Sequence, residues 1–587
     1  MISNHQIAEI LKEIGEYLEM QSVAFKPRAY EKAAEVIEEL EEEVESIYKN
    51  GGLKAIEDIP GIGVSIAEKI EELIKTGHLK YYEKLKKQTP LDLISLRRIE
   101  GLGPKSLKKL YEALGIKNIQ DLEKAAQTGK IRKIEGFGEK TEENILEGIK
   151  FLKKSSGRFI LGFTRSLIRS LEERLKKLKE VERLVAAGSV RRWKETIGDA
   201  DILVISNDSR PVMDYFVSLP EVARVYAKGL TKSAVQLNNG LDVDLRVVEK
   251  KSYGAALSYF TGSKDHNVAL REIALKKGYK LNEYGLFKGK KQIAGETEEE
   301  IYEKLGLDYI EPEMRENKGE IELARRHQLP KLIDYGEILG DLQVQTNWTD
   351  GVNSIEEMAK AAMAQGLEYI AITDHTKRLA MANGLDEKRL LEQIKEIDRL
   401  NLKFNSSIDE QNSKPVVSRV EPFKILKGTE CDILKDGSLD IKDEVLAKLD
   451  VVGVSIHSYF NLSKKEQTER IKKAISNPNV DILFHPSGRI IQKREAYEFD
   501  IEEIIKTAQK TKTVLEVNAY PDRLDLKDDH IHLAIKAGVK IAIDSDAHSV
   551  THLPYLEYGI SQARRGWAEK KDIINYWPLE KMLKMLK

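Results

Sequence analysis

Gly188-Ser189-Val190-Arg191-Arg192 is followed, after a short polar gap, by Gly198-Asp199-Ala200-Asp201 and the apolar run Ile202-Leu203-Val204-Ile205-Ser206. The run is rich in β-branched residues and reads as a strand. Side chains alternate across a strand, so Asp199 and Asp201 share one face and can together grip a pair of hard cations. Gly188-Ser189 predicts a tight turn whose backbone and hydroxyl can meet phosphate oxygens, and Arg192 suits the same anion. A third carboxylate has to come from a neighbouring strand. Leu241-Asp242-Val243-Asp244-Leu245-Arg246-Val247-Val248 offers two, Asp242 and Asp244, again on one face. Two cations held this way lie roughly 3.5 to 4 Å apart. A lone Asp-x-Asp is more often a turn or a solvated edge, so the reading rests on the whole series.

Outward from this centre, 156–325 alternates short strands and helices, as an α/β or α+β domain does. Upstream, 1–155 is helix-forming and is broken by three turns of one pattern, Pro60-Gly61-Ile62-Gly63, Glu100-Gly101-Leu102-Gly103 and Glu135-Gly136-Phe137-Gly138. A single Gly-x-Gly is usually a helix cap. Three in series form an internal repeat that exposes backbone N–H groups at helix N-termini, a natural seat for phosphate. Downstream, a charged stretch at 311–330 reads as a linker. After it the runs YIAIT, VVGVSIH, VDILFH, TVLEVNA and KIAIDS alternate with amphipathic helices and predict a (β/α) barrel.

The chain has 587 residues, 41% hydrophobic and 33% charged, and so should form several domains of ordinary globular type. No apolar run approaches the ~20 residues of a membrane span, and the N-terminus lacks the pattern of a secretory signal, so a cytoplasmic protein without a membrane partner is expected. The single cysteine, Cys431, excludes an internal disulfide or a thiolate cluster and leaves any metal to His and carboxylates. A formal net charge of −2 does not exclude DNA as a partner, because a basic surface can be masked in the total.

The central series continues with Tyr259-Phe260-Thr261-Gly262-Ser263, then Asn267, Arg271 and LNEYGLF. In this order, over about 120 residues, it resembles the catalytic core of X-family DNA polymerases such as DNA polymerase beta. The resemblance implies Asp199, Asp201 and Asp244 as the ligands of Mg or Mn, with Asp242 outside the triad, where that pattern carries arginine. It also implies nucleotide binding by Gly188, Ser189, Arg192 and Gly198. Tyr259, Phe260 and Gly262 would lie at the incoming sugar, Asn267 at its base and Arg271 at the template. Asp242 would then add to the metal demand or pair with Lys228 or Lys232.

In the helical third, VAFKPRAYEKAAEVI and PGIGVSIAEKIEELIKTGHLKYYEKL resemble the small N-terminal domain of DNA polymerase beta. That implies a 5′-phosphate pocket with Lys26 and Tyr30, DNA contacts at Gly61, Gly63, Gly101, Gly103, Gly136 and Gly138, and Lys69 as the amine that excises deoxyribose phosphate. Such a lysine must be partly deprotonated, by desolvation or a neighbouring cation. Ser65 replaces a phosphate-binding lysine often found there, and Glu31 adds an acid; the bland alternative for Lys69 is a solvated helix lysine.

In the last third, Asp374-His375, Glu430, His457, His485, Glu516 and Asp546-Ala547-His548 fall at strand ends. Their settings, ITDHTKRL, LKGTECDIL, GVSIHSYF, LFHPSGR, LEVNAYPDRLDL and DSDAHS, resemble the PHP (polymerase and histidinol phosphatase) domain. The resemblance implies a phosphoesterase site for Zn or Mn with Asp350, His375, Glu430, His457, His485, Asp546 and His548 as ligands. The first motif departs: Asp341-Leu342-Gln343-Val344-Gln345 stands where the family has His-x-His. Glutamine is a poor Zn ligand, so up to two metals and weakened 3′-to-5′ exonuclease and abasic endonuclease activity are expected.

The expected architecture is multidomain: an all-α helix-hairpin-helix region, an α+β nucleotidyltransferase palm and a (β/α) PHP-type barrel. Its parts are a lyase-like domain (1–88), a second helix-hairpin-helix domain (89–155), a palm (156–250), a nucleotide-binding subdomain (251–315), a linker (316–335) and the barrel (336–575). The expected function is filling of short gaps in base excision repair, on gapped or nicked DNA with a 5′-phosphate and deoxynucleoside triphosphates. A phosphoesterase that processes DNA ends and a DNA-end scaffold are the alternatives; Gln343 and Gln345 oppose the first, and three convergent carboxylates oppose the second.

Overall fold

Each glycine turn of the helical region is closed in one way. Ile62 donates its N–H to the Ile59 carbonyl (3.1 Å), Leu102 to Ile99 (3.2 Å) and Phe137 to Ile134 (3.0 Å). Gly61 and Gly136 take φ of 95° and 91°, as the third residue of a type II turn must. Ile62, Leu102 and Phe137 are buried and pin the turns into one apolar core. Gly63 and Gly103 then cap helices Val64–Thr76 and Pro104–Leu114, and Gly138 precedes helix Glu139–Ser155. The computed structural model describes residues 4–586 apart from 22, 24, 39, 41–42, 98, 100–101, 156 and 412–422; Gly101 lies outside the described residues. The chain divides into two units, Met1–Gly157 with Ile490–Glu495, and Arg158–Arg489 with Ala496–Lys587.

The second unit holds two sheets that matter for function. In the palm, the strands run in the order Val181–Ala186, Asp199–Ser206, Asp242–Val248, Lys232–Leu237 and Val222–Lys228. Only the central pair, Asp199–Ser206 with Asp242–Val248, is parallel. Ile202 and Val204 enter one apolar cluster and Leu203 and Ile205 another. The strand is thus buried on both faces, and its acids are confined to its open start. The barrel is a seven-stranded parallel sheet in chain order, from Gly340–Val344 to Ile541–Asp544. Its ends approach through a parallel bridge between Val344 and Ala547, with Gln345 N–H on the Ala547 carbonyl at 2.8 Å, so it is nearly closed.

The stretch 316–335, expected as a linker, is packed structure instead. Glu320 is fully buried and accepts hydrogen bonds from the Asn317 and Lys318 amides (2.8 and 2.7 Å), with His266 Nδ1 2.7 Å away. Just upstream, Arg315 is fully buried, bonded through Nη1 to Glu298 (2.5 Å) and through Nε to the Ile310 carbonyl (2.8 Å). Charge density suggested solvent; here the charges satisfy one another.

Glu298 also receives Arg191 from the turn after Gly188 as a two-pronged pair, at 3.0 and 2.6 Å. Burial alone would raise the Glu298 carboxyl, but Arg315 and Arg191 outweigh it and hold it down to about 2. The depressed group stabilises the fold fully above the unfolded carboxylate range, and that contribution is lost as pH falls through about 2. Glu298→Gln strands two arginines, and urea unfolding at pH 7 should show a loss of about 3–5 kcal/mol. The gap to the parent should narrow as pH drops below about 4.5.

Candidate active sites in the palm and the barrel

Parallel register places Asp199 beside Asp242 and Asp201 beside Asp244. Asp201 is pushed up to about 6, by burial first and then by the charges of Asp199 and Asp244. Such crowded oxygen donors fit hard divalent cations. Gly188 has φ 64°, and a Cβ there would lie 3.2 Å from Asp201 Oδ2, so glycine lets the turn run against the carboxylate. The Ala187 amide bonds to the Asp201 carbonyl at 2.7 Å, and the Ser189 carbonyl accepts from the Lys194 amide at 3.0 Å. Gly198 immediately precedes the Asp199–Ser206 strand.

Asp242 is exposed and accepts from Gln236 at 3.3 Å. The lysines expected beside it pair elsewhere, Lys228 with Asp214 (2.5 Å) and Lys232 with Asp244 (2.6 Å). Both have nearer carboxylates than the strand's first acid. Arg192 donates through Nε to Glu316 (3.0 Å) and through Nη1 to the Thr261 carbonyl (2.6 Å). Tyr259 is 36% exposed and meets Phe260 edge to face, at 5.2 Å between centroids. Asn267 donates to the Tyr259 and Gly262 carbonyls (2.7 and 3.1 Å), and a side chain at Gly262 would collide with its carboxamide. Arg271 is half-buried on helix Lys264–Lys276. Sequence reasoning missed Arg246, whose guanidinium lies 4.5 Å over the Phe260 ring and 3.4 Å from Asp244. Its position two residues after Asp244, on the same strand face, was the available signal.

In the helical unit, Lys69 Nζ donates to Ser65 O and Oγ (2.7 and 2.9 Å) and lies 5.1 Å over the Tyr81 ring. Burial lowers its pKa and nearby Lys26 adds to this, against the pull of Glu68 and Glu72. Lys26 and Glu31 are exposed, whereas Tyr30 is buried and its hydroxyl is pushed up to about 12 by that burial.

At the barrel's strand ends, where such folds build their sites, the candidate residues gather around Glu430. One of its oxygens lies 2.8 Å from His485 Nε2 and 3.2 Å from His457 Nε2. The other accepts amide hydrogens from Gln343 (3.1 Å) and Gln345 (2.9 Å). The two glutamines therefore direct N–H groups at the shared carboxylate. Asp350, His375 and His548 form one group whose ligand atoms lie within 4.8 Å of one another, and His375, Glu430 and His457 form a second. Gln345 Oε1 and His485 Nδ1 are buried without a hydrogen-bond partner among the described residues.

Several charges here are perturbed. His457 resists burial because Asp432 and Glu430 raise it to about 9, while burial and Arg523 lower His485. Glu516 accepts the His485 amide at 2.5 Å and is raised well above the usual carboxylate range by burial, Asp544 and Asp546. Asp374 accepts from Thr346, Thr349 and Gln393, which braces the rim. Arg523 and Asn518 were not foreseen: Arg523 lies 3.6 Å from Asp546, and Asn518 bridges Asp546 (3.0 Å) to Gln343 (3.2 Å). Nothing in a loop arginine's sequence context announces such a position.

Family models match along the chain: a helix-hairpin-helix domain at 2–79, a SAM-like helix-hairpin-helix tandem at 91–150, the DNA polymerase beta thumb at 256–316 and the PHP domain at 341–525. Over 592 aligned residues the chain is 37% identical to the DNA polymerase/3′-5′ exonuclease PolX of Bacillus subtilis (strain 168), covering 99% of each. The chain belongs to the PolX family of X-family DNA polymerases. Two probable phosphatases resemble a part of it, one from Thermoanaerobacter sp. (strain X514) at 32% identity over 206 residues and one from Acetivibrio thermocellus at 29% over 204. Each alignment spans 33% of this chain and 73% of the relative. This chain is a DNA polymerase with DNA-binding helical hairpins and a PHP barrel. No helix among its described residues is long and apolar enough to cross a membrane.

Imidazole and carboxylate donors in two compact groups fit divalent metal ions, whereas the pair at Gln343 and Gln345 is occupied with Glu430. Gln343→His with Gln345→His should therefore increase the metal retained after dialysis by about one ion per chain, as measured by elemental analysis. An unchanged content would show that the glutamines do not limit loading.

Proposed function

We propose that this polymerase fills short gaps during DNA repair, on gapped DNA carrying a 5′-phosphate, and that its palm is the working site. The observation that carries the reading is the parallel register that sets Asp199, Asp201 and Asp244 together beside the Gly188 turn. Those three carboxylates would hold Mg or Mn, which when bound supplies activation of the primer 3′-OH and charge stabilisation at the leaving pyrophosphate. The chain's own residues bind and orient. The Gly188–Ser189 turn and Arg192 meet the triphosphate, Tyr259 and Phe260 receive the sugar, Asn267 the base and Arg271 the template strand. Arg246 and Lys232 pair with Asp244 and balance part of its charge. Gly61, Gly63, Gly101, Gly103, Gly136 and Gly138 track the DNA backbone through their turns.

A labelled primer at a one-nucleotide gap tests this reading. With Mg or Mn and deoxynucleotides, extension should vanish in Asp199→Ala and persist in His485→Ala. Primer shortening without nucleotides should be weak, because the barrel would load at most the groups around Asp350, His375, His548, Glu430, His457, His485 and Asp546. Shortening that is strong and lost in His485→Ala would reassign the chain toward the exonuclease named for its Bacillus relative.

Lys69 is proposed as the lyase amine, with Lys26 and Tyr30 at the 5′-phosphate; its lowered pKa, from burial with Lys26 adding, supports this. Borohydride should trap the chain on 5′-incised abasic DNA, and Lys69→Ala should reduce the adduct by about tenfold or more. Trapping that is equal in the variant would exclude Lys69.

A further inference from the structure

One helix of the barrel, Leu556–Arg565, touches the palm through Glu557, Tyr558 and Arg565. Arg565, 4% exposed, donates through Nη1 to the Arg192 backbone carbonyl (2.9 Å) and to Glu316 (3.3 Å), and through Nη2 to Asp528 (2.5 Å). Glu316 is the carboxylate that holds the Arg192 guanidinium. The barrel's arginine thus grips both the backbone of Arg192 and the anion that orients its side chain.

The next residue supplies an independent observation. Trp193 has φ 51°, a left-handed conformation that is a genuine outlier for a bulky side chain. Such strain persists only where the surroundings over-determine it. Those surroundings include the barrel: the Trp193 ring lies 6.0 Å from Tyr558, on the same helix as Arg565, and 5.7 Å from Tyr335. Arg165 and Arg169 of the palm lie 5.7 and 6.0 Å from the Trp193 ring, and Arg169 pairs with Glu557 at 2.8 Å. Beyond the turn, Glu195 is held by Arg489 and Gln562 of the barrel (2.6 and 2.7 Å).

We propose that the barrel is a positioning element of the polymerase, in which Arg565 and Tyr558 hold the turn from Gly188 to Lys194 so that Arg192 is presented to nucleotide phosphate. The inference rests on the reading that Arg192 meets that phosphate. It gives the barrel a role independent of its own metals, and hence a reason to keep its packing where two metal ligands are glutamine. Arg565 is a positioning residue and touches no substrate.

The test is steady-state gap filling by the full chain, with nucleotide KM, kcat and DNA affinity measured for Arg565→Met, Arg565→Lys, Trp193→Leu and Arg192→Met, beside thermal unfolding. Arg565→Met and Trp193→Leu should raise nucleotide KM about tenfold, with kcat and DNA affinity within about twofold. Arg565→Lys should recover part of the loss. A general loss of structure would lower kcat and stability together and would not give this split. Should Arg565→Met fail to fold, Trp193→Leu decides. An unchanged KM in the barrel-facing variants, with KM raised in Arg192→Met, overturns the positioning role. An unchanged KM in Arg192→Met overturns the reading of the turn itself.

Discussion

Two adjacent strands running in the same direction bring like charges together at one end of the palm. Parallel pairing of Asp199–Ser206 with Asp242–Val248 aligns the acids in register, and apolar burial on both faces of the first strand prevents either strand from sliding to relieve them. Burial first, and then this repulsion from Asp199 and Asp244, push the Asp201 carboxyl up to about 6. Everything near it answers that charge: Lys232 and Arg246 at Asp244, and a glycine where any side chain would crowd Asp201.

The barrel meets a similar problem with a different answer. Glu430 is fully buried among His375, His457 and His485 and is held well below the usual carboxylate range, because those imidazoles outweigh the burial that opposes them. Gln343 and Gln345 add neutral N–H donors to the same carboxylate. Hydrogen bonds from the protein thereby satisfy part of what a cation would otherwise satisfy at this carboxylate. Packing against the palm gives that fold a physical consequence, since the helix carrying Tyr558 and Arg565 reaches the turn at Arg192 and Trp193.

Charge was the least dependable guide. Composition made 316–335 look solvated, yet Glu320 is fully buried because amide donors and His266 converge on it. One of the two readings of Asp242 paired it with Lys228 or Lys232, and those lysines found closer carboxylates. Pairing depends on which oxygen lies within a few ångströms, and a linear pattern does not carry that distance.

Periodicity and short motifs by themselves determined the class of each region: three glycine turns for the helical unit, an Asp-x-Asp strand for the palm, and regularly spaced β-branched runs for the barrel. These are local properties, set by φ at glycine, by alternation along a strand and by apolar spacing, so they are legible one segment at a time. The two substituted positions at Gln343 and Gln345 were legible too, because a motif shows its own gaps. Only the tertiary structure decided what the glutamines bind, that Arg192 is shared between Glu316 and a carbonyl, and that Arg565, 373 residues downstream, holds its backbone. Those contacts arise from three-dimensional closure of distant segments, where geometry rather than residue type selects the partner.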